Sequence, residues 1–247
     1  MIQYKNAGDR ALVVEFENEI SKKVNQKVQD MAAAVENCSV RGIEEVVPAY
    51  RSLLIFYNPL IISGSHLKQT LIGIAGNIES SVVHRTVVVE IPTLYGGDFG
   101  PDLEYVAQYN GLSRETVIKV HSEREYLIYM LGFTPGFPYL GGLAEEIATP
   151  RLEVPRTKTP AGSVGIAGSQ TGIYPIQSPG GWRIIGKTPL KLFDPNRSQP
   201  FLLKAGEYLK FIPIDQKEYE EIEHLVAAGK FEVMRKEIIG ADKNDHV

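Results

Sequence analysis

The chain has 247 residues, enough to bury roughly 70% of the surface its unfolded form would expose, and 43% hydrophobic with 23% charged residues is ordinary for a globular protein. A formal net charge of −4, with no basic tract or basic-aromatic stripe, argues against a nucleic-acid partner. The single cysteine, Cys38, excludes an internal disulfide and a cysteine-built zinc site; with no secretory pattern at the start and no apolar run near about 18 residues, the expected place is the cytoplasm, away from membranes.

Residues 11–16 read as a strand, and Ile20, Val24, Val28, Met31 and Val35 recur at helical spacing over residues 20–35. Strands over 43–47 and 52–57, a helix over about 65–78 and a strand over 85–91 complete the order β-α-β-β-α-β, which suggests a split-βαβ, ferredoxin-like unit over residues 1–92. After a turn-rich connection, Pro101 suits a helix start with Asp102 and Glu104 in the first turn, and Ser113 reads as the N-cap of a helix running to about His121. His121 is read as a histidine at a helix C-terminus rather than as a base.

The region from Gly132 to Gly186 differs in kind. It holds 11 of the 23 glycines and 7 of the 15 prolines between short β-rich pieces, a pattern of many short strands in a barrel or sandwich within residues 93–247. A strand over 208–214 and a helix over about 215–228, closed by Gly229, end the pattern. The fold class is therefore α+β in two domains.

Several motifs fail on context. Residues 181–188, G-W-R-I-I-G-K-T, match the letters of a phosphate-binding loop, but the bulky and β-branched residues 182–185 suit a strand, and Pro189 opposes the helix such a loop must open. Ser163 lacks the upstream glycine of a nucleophile elbow, and His66, His84, His121, His224 and His246 show no metal-ligand spacing. No metal site and no biotin-attachment motif is seen.

Two segments carry chemistry. In residues 130–143, M-L-G-F-T-P-G-F-P-Y-L-G-G-L, the aromatics Phe133, Phe137 and Tyr139 alternate with glycine and proline, so the loop is either a ligand or partner surface or a packed aromatic turn. In residues 155–182, Arg156 and Lys158 can neutralise an anion; Ser163, Ser169, Gln170, Thr171 and Ser178 add neutral donors, and Trp182 adds a flat wall. That set suits a small carboxylate or amide substrate.

These segments, with G-D-R-A-L near the start, V-P-A-Y-R-S-L-L at 47–54 and Y-G-G-D-F-G-P-D-L at 95–103, resemble the allophanate hydrolase subunit 1 family over about residues 4–228. That family includes B subunits of prokaryotic 5-oxoprolinase and KipI, an inhibitor of a sporulation histidine kinase. The resemblance implies an N-terminal ferredoxin-like domain followed by a C-terminal cyclophilin-like β-barrel. It implies, with the A and C subunits of 5-oxoprolinase as partners, ATP-dependent opening of 5-oxoproline to L-glutamate, a reaction resembling phosphorylation of an amide oxygen followed by hydrolysis. It implies ATP as a co-substrate of the complex, with no ATP site assigned to this chain and little activity alone. Kinase inhibition and an allophanate-type amidolyase role are the alternatives. Carried onto this sequence, the family's motif falls on Arg156, Pro160, Gly162, Ser163, Gly168, Gln170, Thr171, Tyr174, Ser178, Gly180, Gly181 and Trp182. The expected roles are Arg156 on the substrate carboxylate and Gln170 with Thr171 on the lactam amide, with the general base unassigned; where this chain has Lys187, members commonly carry arginine.

Overall fold

A computed structural model describes residues 2–78 and 85–239. It forms two compact units, Met1–His84 and Arg85–Val247.

In the first unit, β1 (Gln3–Asn6), β2 (Ala11–Glu15), α1 (Lys22–Asn37), β3 (Ile43–Pro48), β4 (Ser52–Tyr57) and α2 (Gly64–Gly76) follow in order, with an antiparallel sheet ordered β1-β2-β4-β3. Ser21 caps α1 by accepting from the Val24 N–H, and Val24, Val28, Met31 and Val35 lie buried along one face, in one core with Leu12, Val14, Leu53 and Ile55 of the sheet. Buried Asn25 joins helix to turn, its Nδ2 donating to the carbonyls of Ala49 (3.1 Å) and Tyr50 (3.2 Å).

The sheet has four strands packed with two helices, but its edge differs from the β-α-β-β-α-β reading. The place beside β2 that residues 85–91 were expected to fill is taken by β1, in register from Gln3↔Glu15 to Asn6↔Leu12. β1 is short, polar and mostly exposed, so it left no alternation to read. The division accordingly falls after His84 and not after residue 92.

The strand removed from the first unit is central to the second. β5 (Arg85–Tyr95) buries Val88, Val89 and Ile91 and changes neighbours along its length. It pairs with β14 (Arg235–Ile239), in parallel with β13 (Tyr208–Pro213), and at Leu94 and Tyr95 with β12 (Arg183–Lys187). The main path of the sheet runs β10-β9-β12-β5-β13-β6-β7, where β6 is Glu125–Leu131, β7 Pro138–Gly141, β9 Ser163–Ala167 and β10 Gln170–Ile173. Its two end strands, β7 and β10, lie alongside each other, so the sheet curls into a nearly closed barrel. Ile91, Ile128, Val164, Ile166, Leu209 and Phe211 fill its interior.

A separate ribbon is made by β8 (Arg156–Thr159) and β11 (Ser178–Gly180). Around the barrel lie α3 (Leu103–Tyr109), α4 (Arg114–Ser122), whose N-cap Ser113 accepts from the Thr116 N–H, and α5 (Gln216–Ala227), started by an Asp215/Glu218 capping box. The phosphate-loop look-alike is strand β12, with no helix after Pro189, and Lys187 Nζ sits 5.8 Å from the Phe99 ring and 6.0 Å from the Tyr219 ring.

Candidate functional site

The turn between β6 and β7 is closed by three backbone bonds: Gly132 N–H to Phe137 O, Thr134 N–H to Gly132 O, and Phe137 N–H to Thr134 O. Gly136 takes φ 83° and Phe133, without glycine's freedom, takes φ 64°. This turn presents Phe137 inward as a hub for four rings. Its centroid lies 5.9 Å from Phe133, 5.4 Å from Tyr139, 5.9 Å from Tyr174 and 5.7 Å from Trp182, at interplanar angles of 81°, 64°, 84° and 89°. These edge-to-face contacts fix the rings relative to one another. Phe137 is buried, whereas Phe133 is 76% exposed and stands at the lip.

Glycine makes the arrangement possible. A Cβ on Gly172 would lie 3.1 Å from Trp182 Cζ3 and 3.4 Å from Phe137 Cζ, and one on Gly180 would lie 2.3 Å from the Tyr174 hydroxyl. The resulting recess, about 330 Å³, is walled by the five aromatics, floored in part by the backbone of Gly180 and Gly181, and edged by Gln170 and Arg151. Burial pushes the Tyr174 phenol up; its bond to the Trp182 backbone and the charges of Arg151 and Arg156 oppose that shift.

The recess gathers Phe133, Phe137, Tyr139, Gln170 and Trp182 out of the sequence-predicted set. Arg156 faces elsewhere. Its Nη2 lies 2.8 Å from both Asp102 carboxylate oxygens and its Nη1 donates to Trp182 O at 3.2 Å, so the cation expected to grip a substrate carboxylate is already paired. Asp102 is 7% exposed and its Oδ2 also accepts from the Ile184 N–H at 2.6 Å. The acid read as part of a helical first turn therefore ties α3, β8 and β12 together, and Arg156 positions the backbone of Trp182.

Thr171 also departs from the expected role. It is 1% exposed, and its hydroxyl donates to Gly165 O at 3.1 Å while lying 2.8 Å from His121 Nε2. With its proton committed to Gly165, Thr171 accepts from Nε2–H, which leaves His121 Nδ1 to accept from the Tyr95 hydroxyl at 2.8 Å. His121 is thus neutral, bonded at both nitrogens and fully buried; burial holds its pKa down at about 3. It occupies the last turn of α4, but it bridges the interior and carries no charge for a helix C-terminus.

Ser163 is 3% exposed within β9, while Lys158 and Ser178 belong to the β8–β11 ribbon and do not line the recess. Arg151 was missed by sequence reasoning. It sits in an irregular segment outside residues 155–182, and only long-range backbone bonds bring it to the aromatic wall: Leu152 N–H to Gly181 O at 2.7 Å, and Gly168 N–H to Thr149 O at 2.7 Å. Among the described residues no group of three His, Cys, Asp or Glu could hold a metal ion, and no helix is long and apolar enough to cross a membrane.

Residues 2–203 match the family described as the carboxyltransferase domain, subdomain C and D. The 5-oxoprolinase B subunit of Bacillus subtilis (strain 168) is 46% identical over 228 residues, covering 88% of this chain and 95% of that protein. The 5-oxoprolinase B subunit of Escherichia coli O157:H7 is 39% identical over 212 residues, covering 85% and 94%. Among solved structures, TTHA0988 superposes with a TM-score of 0.74 at 37% identity; the match covers 83% of this chain and 40% of that longer one. With the two-unit α+β fold, this similarity shows that the chain belongs to the family of 5-oxoprolinase B subunits, built on carboxyltransferase subdomains C and D.

Proposed function

We propose that the chain is the B subunit of an ATP-dependent 5-oxoprolinase and acts with the A and C subunits to convert 5-oxo-L-proline to L-glutamate. The observation that carries this reading is the identity of 39–46% with two B subunits over 85–88% of the chain. The recess supports it: a small apolar-walled site with one cation and one amide suits a small ring bearing a carboxylate.

The same lining supports a division of labour. Opening a lactam needs an activated nucleophile and a proton for the departing nitrogen. Gln170 does not ionise, and burial raises the Tyr174 phenol above its ordinary value, so neither exchanges a proton readily near neutral pH. In this reading the chain binds and orients, while ATP and proton transfer are handled on the partner subunits. The fold of TTHA0988, of which this chain spans 40%, is compatible with such sharing, because there the matching region lies in one chain with further sequence.

The test is to capture this chain by an affinity tag from cells making the A and C subunits of the same organism. The expected outcome is co-elution of the partners and ATP-dependent glutamate formation by the eluate. Failure of both partners to co-elute counts against the reading, and kinase autophosphorylation with and without the chain then becomes the assay to run.

A further inference from the structure

We propose that Arg151 is the carboxylate anchor of the aromatic recess and Gln170 its lactam-amide partner, an assignment that rests on the 5-oxoprolinase reading above.

The cations around the recess are not equivalent. Arg156 is held by Asp102, and Arg183 donates to Pro150 O at 3.3 Å with its guanidinium 3.6 Å from the Tyr105 ring centroid. Arg151 is exposed, lines the recess, and makes no hydrogen bond or ion pair among the described residues. An exposed guanidinium at the edge of an apolar-walled recess, with no acid paired to it among the described residues, favours an anion, and its planar fork fits a carboxylate with two parallel hydrogen bonds.

Its backbone is held on both sides. Thr149 is bridged to Gly168, Pro150 O accepts from Arg183, and Leu152 N–H donates to Gly181 O. The backbone around Arg151 is thereby tied to the turn that precedes Gln170 and to the segment 181–183 that carries Trp182, which limits the side chain's search to the rim of the recess. Gln170 opens β10 and is half-buried there. Its side-chain amide offers both an acceptor and donors, the complement of a lactam N–H and C=O. Between these polar groups, Phe137 and Trp182 meet at 89° and form an apolar corner for the saturated face of a small ring.

The experiment exploits the fact that Trp182 is the chain's only tryptophan, so intrinsic fluorescence reads this recess. Purified chain is titrated with L-5-oxoproline and with 2-pyrrolidinone, the same ring without the carboxylate, for wild type, Arg151→Ala and Arg151→Lys, each first shown to melt like wild type. A saturable response to 5-oxoproline is expected in wild type, weakened about ten- to hundredfold in Arg151→Ala, less so in Arg151→Lys, while the weak response to 2-pyrrolidinone is the same in all three. The assembled complex carrying Arg151→Ala is expected to show the same rise in KM for 5-oxoproline with the KM for ATP unchanged. Loss of both ligands together in Arg151→Ala, unchanged 5-oxoproline binding, or no saturable response in wild type overturns the anchor assignment. If the complex turns over 5-oxoproline with a KM indifferent to Arg151, the anchor fails and the oxoprolinase reading stands. If the chain binds 5-oxoproline through Arg151 but no complex turns it over, the anchor stands and the oxoprolinase reading fails.

Discussion

The guanidinium Nη2 of Arg156 lies 2.8 Å from each carboxylate oxygen of Asp102, across 54 residues of sequence. The pair is largely sheltered, with side-chain exposures of 30% and 10%, and Asp102 also holds the Ile184 N–H. Asp102→Ala leaves a cation and a backbone donor unpaired and is expected to cost about 2–4 kcal/mol in denaturant unfolding. Arg156→Ala is expected to be destabilising too, and the double variant to lose less than the sum, with a coupling of about 1 kcal/mol or more. Strict additivity would mean that the contact contributes nothing.

Gly172 and Gly180 shape the recess by what they lack. Gly172→Ala places a methyl 3.1 Å from Trp182, and Gly180→Ala places one 2.3 Å from the Tyr174 hydroxyl. Each is expected to destabilise by about 1–3 kcal/mol through overpacking and to shift the Trp182 emission maximum. An unchanged emission spectrum in both variants would show that the rings are not confined as described.

His121 makes stability depend on pH. Its folded pKa, about 3, lies below the ordinary 6.5, so between those values the unfolded chain binds a proton that the folded chain refuses. Stability contributed by the neutral ring is therefore complete above about pH 6.5 and is lost as pH falls, by about 1.4 kcal/mol per pH unit. Unfolding free energies from urea titrations of wild type and His121→Asn at pH 7.5, 6.0 and 5.0 should show a steeper fall in wild type, approaching that slope between pH 6.0 and 5.0. Parallel profiles would place the proton elsewhere.

Lys187 completes the letters of a phosphate-binding loop but sits at the end of strand β12, beside Phe99 and Tyr219. Lys187→Met is expected to leave the KM of the assembled complex for ATP within about twofold, because no helix N-terminus follows to form a phosphate cradle. A large rise in that KM would restore the phosphate-loop reading.

The helices were legible because their periodicity is strong; of the barrel, the sequence marks β5, β12 and β13 as strands, but not β6, β7 and β14. Val24, Val28, Met31 and Val35 mark α1, Ser113 marks a start that the structure caps as read, and the helix read from about Asp215 begins there with a capping box. The first sheet misled because β5 reads as a strand whichever sheet it joins; its membership is decided by β12, β13 and β14, roughly 90 residues or more further along the chain. The site was legible as composition and illegible as geometry. Residues 130–143 read as either a ligand or partner surface or a packed aromatic turn, and 155–182 as a set of donors, but β10 is buried at Thr171, Gly172 and Ile173 alike, so no alternation told that Thr171 points to His121 while Gln170 borders the recess. Arg156 outranked Arg151 in the sequence because Asp102, which neutralises it, is distant along the chain.

The decisive assay is ATP-dependent L-glutamate formation from 5-oxo-L-proline by purified A and C subunits, with and without this chain. Turnover is expected only when the chain is present. Equal turnover by the A and C subunits alone would overturn its assignment as the B subunit.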